Sequence, residues 1–283
     1  MKKFILLALA VILPFISFGQ AQIDTKKVKI ADFTEKTTKV VLTGKMPHDA
    51  LLKNAVASRW NRSSYEFCTA EEYETLKTNS NYYFLLTVST KFKKESEPSL
   101  MFLTLVKGGE VDDKGIKGML EVVSFPFASI EEPSGREYIF LPAILDMIQT
   151  HAINSITNDV DGYTGLPNYT LKIANSGDMG IVFSKNDLST EITPELMKTC
   201  FDKDVLVLEE DDADKYMSPE KSNTLVSYTV APTNPKPGSY CYKMLFDTQS
   251  NTLYYFRKHM ISKKFGPGFL AEDIKRICAP RKK

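Results

Sequence analysis

The sequence predicts an α+β fold of two tandem pseudo-repeats, each with helices packed on a mixed sheet. Residues 28–32 read VKIAD, and residues 171–175, about 143 positions later, read LKIAN. Residues 40–43 read VVLT, and residues 181–184, about 141 positions later, read IVFS. Self-similarity over so long a period indicates a duplicated structural unit. We therefore predict the order β-α-β-α-β-β-β-α in each half.

The first half supplies each of these elements from local patterns. Asp49 is placed to cap a helix, and Thr69 with Glu72 fits a capping box at the start of another. Ile144, Ile148 and Ala152 share one face of a longer helix. The strand segments are rich in β-branched and aromatic residues. The predicted strands are 39–43, 64–68, 82–90, 100–107 and 119–127, and the closing helix is 138–155.

The second half repeats the order. Thr193 is a predicted helix cap, with Pro194 in the first helical position that proline prefers. Leu270, Ile274 and Ile277 share one face of the last helix. Apolar and polar residues alternate on both sides of a turn at 249–251, which predicts a hairpin. The predicted strands are 180–184, 205–208, 224–230, 240–247 and 252–261, and the predicted helices begin at 194, 211 and 268.

The chain divides into four predicted segments. Residues 1–19 have the layout of a secretory signal peptide, with Lys2 and Lys3 before an apolar stretch that is short for a membrane span. The first repeat occupies 20–157 and the second occupies 168–283. Between them, 158–167 contain dipeptides such as Asn-Asp and Thr-Gly that are typical of an irregular linker. No later stretch is expected to span a membrane, so the sequence predicts a periplasmic or secreted protein of a Gram-negative bacterium.

Charge and composition exclude several classes of protein. Without Lys2 and Lys3, 34 basic and 35 acidic residues remain. A nucleic-acid-binding protein normally carries a basic excess that neutralises phosphates, so no nucleic-acid partner is expected. The fraction of apolar residues, 43%, suffices for two ordinary cores. No cofactor motif and no metal-ligand spacing occurs, so we expect neither a cofactor nor a metal, and no catalytic residue is assigned.

One strand and the turn after it offer the best candidates for binding. An aromatic strand runs into basic residues there, and two lysines precede the glycines that open the final helix. Such a helix start can hold an anion, although a plain turn is the alternative interpretation. The counterpart of the strand in the first half lies near 124–127. The candidate binding residues are Tyr254, Tyr255, Phe256, Arg257, His259, Lys263 and Lys264.

The cysteines allow a disulfide without determining its partners. Three of them, Cys200, Cys241 and Cys278, fall in the second half, and Cys68 falls in the first. In an exported protein, Cys200–Cys278 and Cys241–Cys278 are both candidate pairs. The alternative is that these residues are small buried apolar side chains.

The order of elements in each half resembles the small α/β domains of envelope proteins such as the N-terminal domain of TolB and the CsgG-like assembly factors. The resemblance covers most of the mature chain as topology only, and no motif matches position by position. It implies a domain that binds another envelope protein and does not catalyse a reaction.

The sequence leads to three hypotheses about function. The first is a non-catalytic periplasmic binding or envelope-assembly module, whose surface lies at the junction of the halves. The second is a secreted interaction or inhibitor protein that uses the loops 91–98 or 232–238. The third is an enzyme with a site formed between the halves by His259, Cys241 and Asp247. The oligomeric state does not follow from the sequence.

Overall fold

Two five-stranded mixed sheets form the framework of the protein. The computed structural model describes residues 26–92, 94–109, 118–131, 134–201, 205–218 and 221–281. The predicted signal peptide, 1–19, lies outside the described residues. Each sheet carries helices packed against it, and the two halves resemble each other in layout. The predicted α+β class is therefore confirmed.

The first half follows the predicted order closely, because its start and stop signals are local. The Thr69 side chain accepts from the backbone N–H of Glu72, and the Glu72 carboxylate accepts from the N–H of Thr69, so the predicted capping box forms. The elements are α1 (Lys26–Lys29), β1 (Thr37–Val41), α2 (His48–Arg59), β2 (Ser64–Cys68), α3 (Ala70–Leu76), β3 (Tyr82–Thr90), β4 (Leu100–Lys107), β5 (Leu120–Ser129) and α4 (Arg136–Thr157).

The second half repeats this order with shorter helices. Thr193 caps its helix and Pro194 occupies the first helical position, as predicted. The elements are α5 (Asp159–Thr164), a 3-10 helix (Leu166–Asn175), β6 (Gly180–Ser184), a 3-10 turn (Lys185–Asp187), α6 (Pro194–Cys200), β7 (Val205–Leu208), α7 (Glu210–Asp214), β8 (Thr224–Val230), β9 (Tyr240–Asp247), β10 (Leu253–Met260), α8 (Ala271–Cys278) and a 3-10 turn (Ala279–Arg281).

Strand pairing is equivalent in the two sheets. In the first sheet β1 lies between β2 and β3 and runs parallel to both, while β3, β4 and β5 are antiparallel neighbours. In the second sheet β6 lies between β7 and β8 in the same way, and β8, β9 and β10 follow. Ile30 and Ile173, at the centre of the repeated VKIAD and LKIAN segments, are both buried just before the first strand of their half.

The segment 158–167 is not the irregular linker that the sequence predicted. The Asn158 side chain accepts from the backbone N–H of Val160 and caps α5. Gly165, with φ of 63°, ends that helix, and the 3-10 helix begins at Leu166. The same Asn-Asp and Thr-Gly dipeptides that mark turns also cap helices, and here they do the latter. The boundaries of the two repeats stay predictions of the sequence.

Asp49 does not cap α2, although its position in the sequence favoured that role. The helix begins one residue earlier, at His48, and Asp49 lies in its first turn. Its carboxylate accepts from the backbone N–H groups of Thr43 and Gly44, at 2.9 and 2.7 Å, and from the Thr43 hydroxyl. Asp49 therefore stabilises the loop between β1 and α2.

The two halves share one hydrophobic core. The Phe125 ring of β5 lies 6.1 Å from Phe246 of β9 and 6.2 Å from Phe256 of β10, measured between ring centroids. Phe140 of α4 stacks on Tyr228 of β8, with centroids 4.3 Å apart and planes 9° from parallel. Aromatic contacts of this kind bury large apolar areas. The halves are consequently joined face to face by packing as well as by the chain.

Helix α4 is the long helix of the described residues. The sequence predicted no membrane-spanning stretch after the first 19 residues, but α4 is long and apolar enough to span a membrane. It has 22 residues, and its most apolar 18-residue window has a mean hydropathy of 1.2, which meets the length and composition of a membrane-spanning helix. In this structure 61% of that window is buried inside the protein. The apolar side chains of α4 therefore pack in the core that the two halves share.

His151 of α4 lies in that core and is neutral. A cation near the end of this helix would be favoured by the helix dipole, but burial, with a smaller contribution from Lys26, lowers the pKa of His151 from 6.5 to about 4. Its ring nitrogens lie 3.4 Å from the Ser155 hydroxyl and 3.5 Å from the Tyr169 hydroxyl.

We expect His151 to make the protein sensitive to mild acid. Below pH 6.5 the unfolded chain binds a proton at His151 that the folded protein excludes, so stability falls as the pH decreases and levels off near pH 4. A difference of about 2.5 pKa units corresponds to roughly 3 kcal/mol. Urea denaturation at several pH values should show a flatter dependence for His151→Gln in this window. An unchanged pH dependence would contradict a buried neutral imidazole.

Candidate functional site

A cleft of about 470 Å³ lies at the junction of the halves. The second half contributes the carboxyl ends of the parallel strands β6 and β8, the place where ligands bind in open α/β sheets. The first half contributes the end of β5 and the start of α4. The volume falls within the usual range for small-ligand sites. Its lining residues are Ala128, Ser129, Ser134, Arg136, Glu137, Asn186, Asp187, Glu210, Tyr228, Thr229, Val230, Ala231 and Thr233.

Arg136 links the halves beside this cleft. Gly135, with φ of 87°, turns the chain into α4 and places Arg136 at its first position, where only 5% of the residue is exposed. The guanidinium donates to Asp214 from Nε at 2.7 Å and to Asp187 from Nη1 and Nη2 at 2.8 and 3.0 Å. Nη2 also donates to the backbone oxygen of Ser227 at 2.9 Å. The guanidinium of Arg136, a residue of the first half, therefore binds acceptors of the second half.

The two carboxylates that accept from Arg136, those of Asp187 and Asp214, are buried. Asp187 ends the 3-10 turn after β6, is 1% exposed, and also accepts from the hydroxyl of Ser227 and from the N–H and hydroxyl of Thr229. Burial raises the pKa of Asp214 to about 6, and Arg136 opposes that rise. Burial alone would lower the pKa of Arg136, but the two carboxylates raise it. Neither Arg136 nor Asp187 is therefore available to a ligand.

Glu137 is different, because one of its carboxylate oxygens has no hydrogen-bond partner among the residues that the structure describes. The residue lines the cleft and is 2% exposed. Its Oε2 accepts from the N–H of Gly135 at 3.0 Å, whereas the buried Oε1 makes no hydrogen bond within the described part of the chain. A buried carboxylate oxygen without a donor is costly. Glu137 is thus the polar group of the cleft that a ligand could satisfy.

The charge around the cleft is strongly negative. The guanidinium of Arg136 contacts the carboxylates of Asp187 and Asp214, and two further carboxylates, those of Glu137 and Glu210, line the cleft. Glu210 lies 3.8 Å from Arg136 and accepts from the Asn186 amide at 3.2 Å. In a partly buried site, this excess of negative charge favours a cationic ligand over an anionic one.

The candidate binding residues from the sequence do not form one surface. Tyr255 is 0% exposed and donates to Asp273 at 2.6 Å, and Phe256 is 4% exposed in the shared core. The alternation of apolar and polar residues along this strand predicted one buried face and one exposed face. In the structure, β10 is covered on both faces at Tyr255 and Phe256. The counterpart strand behaves likewise, because Phe125 and Phe127 are both fully buried.

The remaining candidates lie at or near the surface and are spread along the chain. Tyr254 is half-buried, and Arg257 lies 3.4 Å from the carboxylate of Glu272. His259 lies 2.8 Å from the backbone oxygen of Gly266 through its Nε2. Lys263 and Lys264 are exposed, with Lys264 over the ring of Phe265. A binding role for these five residues stays a prediction.

The cysteines of the second half lie in two different environments. Burial raises the pKa of the Cys241 thiol to about 12, so it is protonated at neutral pH and is a poor nucleophile. Its Sγ lies 3.2 Å from the backbone nitrogen of Gly268. The Sγ of Cys278 lies 2.7 Å from the backbone oxygen of Cys200, so α6 and α8 place these two cysteines side by side. Their pairing in a disulfide stays a prediction.

The proposed catalytic trio is not assembled. His259 is opposite Cys241 in the ladder between β10 and β9, but Asp247 lies at the other end of β9. Six positions along a strand correspond to roughly 20 Å. The Asp247 carboxylate is occupied by the turn that follows, where it accepts from Ser250 and from the backbone N–H of Gln249.

The two loops considered for an interaction protein contact each other across the junction. The Phe92 ring of the first loop lies 5.2 Å, between centroids, from that of Tyr240, the first residue of β9 just after the second loop. A Cβ added to Gly238, which has φ of 107°, would come within 2.8 Å of the Lys94 side chain. These loops therefore contribute to the packing between the halves.

No family model, curated protein or solved structure matches this chain. The resemblance to TolB and CsgG-like domains therefore stays an expectation of the sequence.

Sequence reasoning missed Arg136, Glu137 and Asp187. The one local signal was an Arg-Glu pair directly before a strongly apolar helix, after Pro-Ser-Gly. Charged residues that open an apolar helix are usually solvated, so the pair did not stand out. Asp187 follows β6 at the carboxyl end of a parallel strand, which is a recognised position for site residues.

Proposed function

We propose that this protein is a non-catalytic binding module of the bacterial envelope, and that the cleft between its halves is the binding site. The observation that carries the proposal is Glu137, a buried carboxylate in the lining of the cleft between the halves, whose Oε1 has no hydrogen-bond partner among the described residues. Binding sites occur preferentially in clefts with a few convergent polar groups. A binding function also agrees with the protonated Cys241 thiol and the separated trio of His259, Cys241 and Asp247.

The proposed location is the periplasm or the extracellular medium. Its support is the sequence of residues 1–19, in which Lys2 and Lys3 precede an apolar stretch of the length usual for a signal peptide. The proposed partner is accordingly another protein of the envelope, and the resemblance to envelope-assembly domains favours the same class.

Photo-cross-linking from the edge of the cleft tests this proposal. A photo-reactive phenylalanine analogue at Asn186, which is exposed and lines the cleft, is expected to capture one protein of the envelope in living cells. The same analogue at Val160, 57% exposed on α5 and outside the cleft lining, is the matched control and should capture little. Capture from Val160 with none from Asn186 would refute the cleft as the binding site.

A further inference from the structure

We infer that the cleft recognises a cationic nitrogen group, an ammonium or a guanidinium, with Glu137 as its main acceptor. This inference rests on the proposed function and names the chemistry that the site would take.

Anionic ligands are disfavoured because the cation of the site is already occupied. Each nitrogen of the Arg136 guanidinium contacts a carboxylate, and Nη2 also donates to a backbone carbonyl. The guanidinium also lies over the rings of Phe140 and Tyr228, at 5.3 and 5.4 Å from their centroids. An anion would have to displace Asp187 or Asp214 and then leave that carboxylate buried without a partner.

A metal ion is disfavoured by the arrangement of the ligands. In the described ranges, no three side chains of His, Cys, Asp or Glu are placed to hold a metal ion. Asp187 already accepts from Arg136, Ser227 and Thr229, so its oxygens are committed. Divalent ions need several oxygen ligands from one site. The Oε1 of Glu137, which has no partner among the described residues, fits a hydrogen-bond donor with a single positive charge.

An ammonium or guanidinium group can both donate a hydrogen bond to Glu137 and reduce the negative charge of the cleft. It donates a charge-assisted hydrogen bond to the buried oxygen of Glu137, and such bonds are stronger than neutral ones. It also reduces the negative charge that Glu137 and Glu210 add around the committed pair of Arg136 and Asp187. The amide of Asn186 and the hydroxyls of Ser129 and Thr233 line the same cleft and supply neutral contacts.

Titration of the mature chain, residues 20–283, with small model compounds tests this inference. The cationic probes are the N-acetyl methylamides of lysine and arginine, and their neutral counterparts are those of norleucine and citrulline. Calorimetry should give affinities for the cationic probes at least about tenfold higher than for the neutral ones. Glu137→Gln keeps the size of the side chain and removes its charge, so it should lower the affinity for the cations about tenfold or more.

Two control variants separate recognition from folding. Glu66→Gln removes an exposed carboxylate on β2 that pairs with Lys39, and neither residue lines the cleft. This variant should leave binding unchanged. Glu210→Gln removes one negative charge beside the cleft and should weaken cation binding less than Glu137→Gln does. The unfolding midpoint of each variant shows whether the fold is retained. If Glu137→Gln unfolds, the inference is tested by comparing the affinity of Glu210→Gln for the cationic probes with that of Glu66→Gln. The inference predicts weaker binding by Glu210→Gln, and equal binding by the two variants would contradict it.

The outcomes distinguish this inference from the proposed function. Equal binding of cationic and neutral probes, or full binding by Glu137→Gln, would overturn the cation inference. If Glu137→Gln still cross-links its partner from Asn186 at the wild-type level, the cleft binds a protein by other contacts and the cation inference is wrong. If the cationic probes bind but Asn186 captures no protein, the cation chemistry holds for a free small amine, and the protein-binding proposal fails.

Discussion

Replacing Arg136 with methionine is expected to lower the free energy of unfolding by about 3–5 kcal/mol, because removal of one partner leaves buried charges uncompensated. Asp187 and Asp214 both lose their cation in this variant, and both are almost fully buried. Methionine preserves much of the apolar contact with Phe140 and Tyr228, so the loss reports mainly on charge. Urea denaturation at neutral pH measures it.

Two further variants give this experiment its control. Arg276→Met removes an exposed arginine that pairs with Glu272 one helical turn away, and such pairs are worth roughly 1 kcal/mol or less. Arg136→Met combined with Asp214→Asn removes one of the unpaired charges and should be more stable than Arg136→Met alone. A loss for Arg136→Met as small as that for Arg276→Met would show that the buried network does not hold the halves together.

Truncation of Phe125 to alanine is expected to cost about 3–5 kcal/mol, the usual cost for a fully buried phenylalanine. The ring is 0% exposed and contacts Phe246 and Phe256 of the second half. The loss should therefore destabilise both halves together. Trp60, the single tryptophan of the chain, lies in the first half, so its fluorescence reports on that half while far-ultraviolet circular dichroism reports on both.

The shared core predicts that these two signals change at the same urea concentration, in the wild type and in Phe125→Ala. Phe183→Ala is the informative control, because Phe183 is fully buried in a cluster made of second-half residues. If the halves unfold as one unit, Phe183→Ala also shifts the Trp60 transition. A Trp60 transition that Phe183→Ala leaves in place would mean that the halves unfold independently.

The order and type of the elements could be predicted from the sequence because their signals are local. The box of Thr69 and Glu72 and the cap of Thr193 each depend on residues within a few positions, and both form as predicted. The two halves resemble each other in layout, so a pattern found in one half could be checked in the other. The misassigned segment, 158–167, failed because helix caps and turns use the same residues.

Burial and long-range pairing could not be predicted in the same way. The alternation in β10 indicated one exposed face, yet Tyr255 and Phe256 point into two different clusters because the strand is covered on both sides. Arg136 and Asp187 are 51 residues apart in sequence and meet only through the packing of the halves. His151 is neutral for the same reason, since the core that desolvates it is built from distant segments.

Cross-linking from Asn186 tests the cleft most directly when the site of attachment on the partner is also identified. We predict that the adduct captured in living cells maps next to a lysine or arginine of the partner, and that excess N-acetyl-arginine methylamide reduces it. Citrulline methylamide, which is neutral, should reduce it far less. An adduct that neither compound reduces, or one that forms equally from Val160, would contradict a cation-binding cleft at the junction of the halves.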